Sequence, residues 1–342
     1  MIIPIFEKIE LIEKGINLNL YKEPFQQTTS RASVCNGIFL KYNNNISLKT
    51  RINDKSNYYL ISKDKNLQII DNKERIFLKN VKLIQNELKS GIFTEQLSGI
   101  IATNLYGCQL VNENKSCKFC SIEKYSGFKF SKNYFENDLE KILKRKKFNS
   151  LTINGGSFPK LKYKGYELMQ GYVKIANKKG IKKINLEIMP NQDLTKKEIN
   201  DFFNEIKKDG ITSVQVNLEI WEKEKRKKIM PYKGLIPRET YLEYLKEGSK
   251  ILGEGKLSSV LLIGLNNEKE LSEGLTEIIK NKGIPSIEIF RALPETELKD
   301  FTIKYNLKEI EKIMKKINNQ IKYKTLEGCL KCNGCSLTKG LK

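Results

Sequence analysis

Hydrophobic positions change their period along the chain, and from about residue 94 onward two periods alternate. Short apolar runs of strand length are each followed by a longer stretch whose apolar residues recur every three or four positions, as on one face of a helix. The runs predict strands at residues 98–103, 150–154, 183–188, 212–219, 257–263 and 286–290. The stretches that follow predict helices, among them residues 135–147, 166–178 and 307–317.

Signals for helix ends agree with this division. Thr195 is followed three residues later by Glu198, which is the pattern of a capping box at a helix start. Gly180 and Gly210 stand where two helical patterns stop, and glycine favours the left-handed conformation that ends many helices. Pro237 stands at the start of the next helical pattern. The chain therefore predicts several separate helices, each placed between two strands.

Six strand–helix units in succession predict an α/β fold with a parallel sheet and right-handed crossovers. We expect a partial (β/α)6 TIM-like barrel over residues 94–300, with a doubly wound open sheet as the alternative. In both arrangements ligands bind beyond the carboxyl ends of the strands. Residues that follow the predicted strands are therefore the candidates for chemistry.

The regions on either side of these units are expected to be accessory. Alternating runs at 16–21, 37–42 and 57–62 predict an N-terminal region, residues 1–93, that contains strands. Residues 301–342 hold the last predicted helix and a short extension with three cysteines. We expect this extension to bind an iron–sulfur cluster, as argued below.

Charge raises the question of a nucleic-acid partner. The formal net charge is +22, which suits a polyanion such as RNA. The lysines are nevertheless scattered over nearly every predicted helix, and basic runs such as 223–228 alternate with glutamate or apolar residues, as solvated helix faces do. A compositional bias is therefore favoured over an RNA-binding surface. Histidine is absent, which excludes imidazole as a base, metal ligand or pH switch.

Seven cysteines remain to be explained, and six of them form two triplets. Disulfide-paired cysteines would not cluster in this way, and the first residues show no export signal. We therefore expect a reducing, cytoplasmic compartment and metal ligation. Cys35 stands alone and is expected to be a small buried apolar side chain. The chain has no apolar run of about eighteen residues, so no membrane span is expected.

The first triplet, Cys108, Cys117 and Cys120, follows the first predicted strand in the pattern C-x8-C-x2-C. Three thiolates on one loop can hold an iron–sulfur cluster by three of its four irons and leave the fourth open to a small molecule. The alternative is a zinc site, which needs a fourth protein ligand. With no histidine in the chain, that ligand would come from the other triplet.

The second triplet, Cys329, Cys332 and Cys335, has the pattern C-x2-C-x2-C after the last predicted helix. Gly328 and Gly334 give the backbone freedom to wrap around a ligand. This spacing again suits a cluster with three ligands and an exchangeable fourth position. A zinc site or a reducible tail is the alternative.

The first triplet resembles the cysteine loop of the radical S-adenosylmethionine (AdoMet, or SAM) superfamily. In that superfamily three cysteines after the first barrel strand hold a 4Fe–4S cluster. Phe119, directly before Cys120, matches the aromatic residue that is common there, whereas the gap of eight residues between the first two cysteines is longer than the usual three. The resemblance implies that AdoMet binds the open iron and is cleaved reductively to a 5′-deoxyadenosyl radical, which abstracts a hydrogen atom.

Further positions resemble the biotin-synthase-like branch of this superfamily. Gly155, Gly156 and Ser157 stand where the family has a Gly-Gly-Glu motif that contacts the methionine amine. Glu219 and Arg238 resemble the acid and the arginine that hold the amine and the carboxylate of AdoMet. At the ends of the third and fifth predicted strands, the resemblance implies AdoMet or substrate contacts for Glu187 and Ile263.

The resemblance implies a radical SAM enzyme with an auxiliary 4Fe–4S cluster. Sulfur insertion from that cluster, as in lipoyl- and biotin-synthase-like enzymes, is one continuation after hydrogen abstraction. The expected partners are a small-molecule or carrier-protein substrate and an electron donor such as ferredoxin or flavodoxin. Two alternatives stay open: radical modification of tRNA or of a protein, and a non-enzymatic binding module stabilised by zinc or by a cluster.

Overall fold

The structure is a computed structural model that describes residues 5–23, 37–42, 46–64, 66–84, 88, 90–122, 130–321 and 326–338. Cys35 and the predicted turn at 43–45 lie outside the described residues. The strands are β1 Gly37–Tyr42, β2 Ile46–Arg51, β3 Tyr58–Lys63, β4 Asn66–Asp71, β5 Ile76–Ile84, β6 Thr94–Gln96, β7 Ile100–Asn104, β8 Ser150–Asn154, β9 Lys183–Glu187, β10 Ser213–Gln215, β11 Leu257–Ile263 and β12 Ile284–Ile289. The helices are α1 Ile5–Lys14, α2 Gln109–Asn112, α3 Lys132–Arg145, α4 Tyr166–Lys178, α5 Lys196–Asp209, α6 Lys223–Ile229, α7 Arg238–Leu252, α8 Glu268–Lys280, α9 Leu307–Gln320 and α10 Gly328–Cys332.

Seven strands form the larger sheet, in the order β12-β11-β10-β9-β8-β7-β6. The strands β7 to β12 run parallel to their neighbours, and β6 pairs antiparallel with β7 at the edge. Spatial order follows chain order without a reversal, whereas a doubly wound sheet reverses direction at a switch point. The predicted α/β fold, a partial TIM-like barrel of six strand–helix units, is therefore confirmed.

Helix boundaries follow the signals in the sequence. The side chains of Thr195 and Glu198 each accept a hydrogen bond from the other's backbone N–H, which completes the predicted capping box before α5. The same helix ends at Gly210, whose φ of +108° is left-handed. Pro237 is the N-cap of α7. The predicted end signals therefore operate as expected at both ends of α5 and at the start of α7.

Three predicted strands need correction. The run predicted at 212–219 forms a strand only over Ser213–Gln215, with an isolated bridge at Glu219. The segment 16–21 is not a strand, because only Ile16 and Asn17 form isolated bridges, to Ile52 and Tyr59. The Asn17 side chain accepts the backbone N–H of Asn19 at 2.9 Å, and this Asx turn ends the extended run. The strand predicted at 98–103 begins only at Ile100, since a 3-10 turn occupies Leu97–Gly99.

The N-terminal region forms its own antiparallel sheet, in the order β2-β1-β5-β4-β3. Helix α1, which the sequence reasoning missed, packs against β2 and also touches β12 of the barrel. Its residues Ile5, Ile9 and Ile12 are buried in the main core. Arg51 at the end of β2 donates to the carbonyl oxygen of Ala292 at 2.9 Å. The N-terminal region therefore packs directly onto the barrel.

The segment 326–338 returns to the barrel at the amino-terminal ends of the strands. The buried carboxylate of Glu327 accepts from Thr212 Oγ1 at 2.6 Å and pairs with Lys256, and these two residues directly precede β10 and β11. The backbone N–H of Leu337 donates to the carbonyl oxygen of Ile287 in β12 at 2.7 Å. The segment that carries the last cysteines thus begins at the amino-terminal ends of β10 and β11, whereas the first cysteine loop follows the carboxyl end of β7.

No described helix combines the length and the apolar character that a bilayer span requires.

Candidate functional site

A cavity of about 340 Å³ lies on the inner face of the larger sheet. Alternate residues of the strands line it, such as Asn104 of β7, Thr152 and Asn154 of β8, and Val260 and Leu262 of β11. This volume falls within the range of about 300–1,000 Å³ that is typical of ligand pockets. Both cysteine triplets border the cavity: Cys108, Cys117, Cys120, Cys329, Cys332 and Cys335.

Cys108 is held between the loops that follow β7 and β8. Its Sγ accepts the backbone N–H of Ser157 at 3.3 Å, and the N–H of Gln109 donates to the Ser157 carbonyl oxygen at 3.1 Å. A Cβ on Gly156 would stand 2.1 Å from the Cα of Cys108. Gly156 therefore serves the close approach of the cysteine loop, in addition to any approach of a ligand.

Cys117 and Cys120 occupy one turn, in which the N–H of Cys120 donates to the carbonyl oxygen of Cys117 at 2.9 Å. The N–H of Lys118 between them donates to the carbonyl oxygen of Ile229, the last residue of α6, at 2.9 Å. Phe119 packs with Cys117 against an apolar cluster that includes residues of β11. The turn is therefore anchored on the protein by its backbone, which leaves the two thiols facing the cavity.

Burial makes these thiols poor anions when nothing is bound. It raises the pKa of Cys117 well above its ordinary value and the pKa of Cys120 to about 12, and the charges of neighbouring thiols add to both shifts. A metal centre that replaces the protons supplies the positive charge that thiolates at this place need. The donor set therefore fits a thiolate-ligated metal group.

Within the described ranges of the chain, no group of three or more cysteine, aspartate or glutamate side chains lies close enough together to hold one metal ion.

Glu219 and Lys233 form an ion pair at the cavity, with Lys233 Nζ 2.8 Å from Glu219 Oε2 and both side chains about 15% exposed. Burial opposes the charged form of Lys233, but the charges of Glu219, Tyr241 and Cys117 outweigh it, so its pKa is raised. Glu219 itself has a φ of +64°, which is uncommon for a residue with a side chain. The site therefore holds one carboxylate and one ammonium beside the first triplet.

Arg226 belongs to the basic run 223–228, which was predicted to be solvated, but its side chain binds the backbone next to this pair. It is only 1% exposed, and its Nη2 donates to the carbonyl oxygens of Lys233 and Ile236 at 3.2 and 3.3 Å. Its guanidinium carbon lies 4.8 Å from the ring centre of Tyr241. Arg226 is therefore a buried residue that stabilises the structure, unlike the solvated helix face predicted for this run.

Two predicted AdoMet contacts are not brought to the cavity. Arg238 stacks on Trp221, with its guanidinium carbon 4.2 Å from the ring centre, and donates to the Trp221 carbonyl oxygen at 3.3 Å. The ammonium beside Glu219 comes from Lys233 instead. Ile263 is wholly buried in the main core, because the alternation of β11 turns its side chain away from the face that Leu262 presents.

Glu187 does line the cavity, but its carboxylate faces the second triplet. Cys329 Sγ donates to Glu187 Oε1 at 3.0 Å. Burial raises the pKa of Glu187 to about 7, and the charge of Glu288 raises it further, whereas hydrogen bonds from Cys329 and Asn154 oppose the shift. Burial also raises the pKa of Cys329. The structure therefore joins Glu187 to the C-terminal cysteines.

The inner face between the triplets carries polar atoms that sequence reasoning did not single out. Asn104 Oδ1 and Thr152 Oγ1 are buried and have no hydrogen-bond partner among the described residues. A buried polar atom left unpaired costs free energy, so these atoms suit a polar ligand. The signal was available, since polar residues recur at alternate positions in strands that would otherwise be apolar throughout.

Comparison with solved structures finds radical SAM enzymes as structural neighbours, while no family model and no curated protein matches the sequence. HydG, a maturase of the FeFe-hydrogenase, is 14% identical, with a TM-score of 0.48 over 65% of this chain and 49% of HydG. Methylornithine synthase, PylB, is 15% identical, with a TM-score of 0.49 over 69% of each chain. A radical SAM methyltransferase from Sphaerobacter thermophilus is 10% identical, with a TM-score of 0.46 over 78% of this chain and 76% of that one. The chain thus spans about half the length of HydG.

Proposed function

We propose that the protein is a radical SAM enzyme that binds one 4Fe–4S cluster at each cysteine triplet. The observation that carries the proposal is that both triplets border one cavity on the inner face of the same sheet. A substrate in that cavity would lie between the two clusters. The sequence resemblance of the first triplet and of the turn at Gly155 supports the same assignment.

Cys108, Cys117 and Cys120 would hold the first cluster and leave one iron open. When bound, this cluster supplies the electron that cleaves AdoMet to a radical able to abstract a hydrogen atom from the substrate. Glu219 and Lys233 present a carboxylate and an ammonium, which complement the two charged groups of the methionine moiety of AdoMet. We therefore assign to Lys233 the role that the sequence suggested for Arg238.

Cys329, Cys332 and Cys335 would hold the auxiliary cluster, with Glu187 beside its first ligand. This cluster would either donate sulfur, as in lipoyl- and biotin-synthase-like enzymes, or anchor a polar group of the substrate. The unpaired atoms of Asn104 and Thr152 favour a polar substrate in either case. An electron donor such as ferredoxin or flavodoxin would reduce the first cluster. The substrate itself would be a small molecule or a group on a carrier protein.

Anaerobic reconstitution with iron and sulfide tests the proposal. We expect about eight irons per chain and reductive cleavage of AdoMet by the wild-type protein. Replacing Cys108, Cys117 and Cys120 together by Ala should leave about four irons and abolish cleavage. Replacing the other three cysteines should also leave about four irons but preserve cleavage.

The two triple variants serve as matched controls for each other. A protein that binds only zinc and leaves AdoMet intact would overturn the proposal. Equal loss of cleavage in both variants would instead indicate one metal site divided between the triplets.

A further inference from the structure

The C-terminal triplet is enclosed by the N-terminal region, to which the sequence assigned no chemistry. Lys8 of α1 is 2% exposed, and its Nζ donates to the carbonyl oxygens of Asn333 and Ser336 at 2.7 and 2.8 Å. These two carbonyls stand on either side of Cys335. One buried lysine from the start of the chain thus holds the turn that carries the last cysteine.

A second buried lysine reaches the same turn from β2. The backbone N–H of Lys49 donates to the carbonyl oxygen of Gly334 at 2.8 Å. Its side chain is 1% exposed, with Nζ 5.2 Å from the ring centre of Phe39. Phe39 and Cys332 belong to one apolar cluster, so Lys49 lies beside the second cysteine.

The charges around this triplet are unusual for a protein interior. Arg291 adds a third cation, with Nη2 3.7 Å from Cys335 Sγ, and the neighbouring carboxylates are those of Glu187 and Glu288. Burial lowers the pKa of Lys8 to about 8, while Cys335, Cys332 and Glu288 favour its charged form. Buried lysines are rare unless a partner offsets their charge. The thiols of the triplet, once deprotonated by a bound metal group, are such partners.

The first triplet has no comparable excess of cations among the described residues. The cation whose charge acts on Cys117 and Cys120 is Lys233, and its charge is already balanced by Glu219 at 2.8 Å. The two sites therefore differ in electrostatic environment, although each has three cysteines.

We propose that Lys8 and Lys49 are positioning residues for a cluster bound at Cys329, Cys332 and Cys335. The Lys8 ammonium and the Lys49 backbone N–H clamp the cysteine turn, and the charges of both side chains offset the negative charge of its thiolates. This inference rests on the proposed function and gives the N-terminal region a role in it. Positive charge stabilises the reduced, more negative state of a cluster, so these lysines make the reduction potential of the C-terminal cluster more positive.

The test measures this potential in the full-length chain. Cys108, Cys117 and Cys120 are replaced by Ala, so that the reconstituted protein holds only the C-terminal cluster, and its midpoint potential is measured by a redox titration followed by electron paramagnetic resonance. Adding Lys8→Gln should shift the potential to more negative values. Lys14→Gln is the matched control, because Lys14 lies on the same helix, is about half exposed and pairs with Glu10. It should leave the potential unchanged.

An unchanged potential in Lys8→Gln would overturn the inference. Loss of bound iron in Lys8→Gln, with the thermal unfolding of the iron-free protein equal to that of Lys14→Gln, would support the clamp. If Lys8→Gln does not fold, Lys49→Met decides by the same titration, and an unchanged potential there overturns the inference. Failure of the proposed function itself is distinguishable, because the parent variant with Lys8 intact would then bind no cluster.

Discussion

The two cysteine triplets are similar in sequence but are built in different ways. The first lies on one loop, and its backbone is held by the adjoining loop after β8 and by the end of α6. The second is held by parts of the chain that are far apart in sequence, since Lys8 of α1 and Lys49 of β2 both bind its turn. Glu327, just before it, is anchored on residues that precede β10 and β11.

A cysteine motif held by neighbouring loops and one held by distant parts of the chain therefore depend on different contacts. The first site needs a close fit between neighbouring loops and one balanced ion pair. The second needs the N-terminal sheet to be docked on the barrel before its turn is complete. Damage to the N-terminal region should therefore affect the second site more than the first.

The largest loss of stability is expected when the Glu219–Lys233 ion pair at the first site is broken. Lys233→Met would leave the carboxylate of Glu219 buried without its partner, which costs about 3–5 kcal/mol in the free energy of unfolding. Urea denaturation of the metal-free protein measures this loss. AdoMet binding should fall as well, because the proposed ammonium is gone.

Arg238→Met is the matched control for that change. Arg238 stacks on Trp221 and is one-third exposed, so its loss should cost about 0.5–1 kcal/mol and leave AdoMet binding nearly unchanged. If Arg238→Met weakened AdoMet binding more than Lys233→Met, the assignment from sequence would be right and the one from the structure wrong.

A smaller effect is expected where the loops of the first site touch. Gly156→Ala places a Cβ about 2.1 Å from the Cα of Cys108, so one backbone must move. Overpacking of this kind typically costs about 1–3 kcal/mol. Iron analysis after reconstitution should show loss of the first cluster and retention of the second. Gly171→Ala, inside helix α4, is the control for the added methyl group, because its Cβ would meet only the movable end of the Lys132 side chain. Retention of both clusters in Gly156→Ala would show that the loop contact is dispensable.

The smallest effect is expected at the anchor of the second site. Glu327→Gln keeps a hydrogen-bond acceptor for Thr212 but removes the charge that pairs with Lys256, for a loss on the order of 1 kcal/mol. Limited proteolysis should then cut the C-terminal segment faster, while AdoMet cleavage at the first site continues. Loss of cleavage would mean that the two sites are not independent.

Much of the barrel was predictable because its signals are local. The alternation of strand and helix periods and the capping box at Thr195 each depend on a few neighbouring residues, and the structure has them where they were expected. Helix α1 was missed although its apolar face is regular. The strand predicted at 16–21 was wrong, because the Asn17 side chain accepts the backbone N–H of Asn19 and so ends the extended run.

The candidate site residues divide in the same way, into those that local sequence identifies and those that only the folded structure identifies. The sequence by itself singled out the six cysteines, the Gly-Gly turn and Glu219 as candidates, because of their spacing and their position at strand ends. Only the tertiary structure decided which cation lies beside Glu219, because Lys233 and Arg238 are both basic residues of one stretch that folds back on itself. It also brought Lys8 to the last cysteines, since a contact between residues 325 positions apart depends on the packing of whole elements and leaves no local pattern.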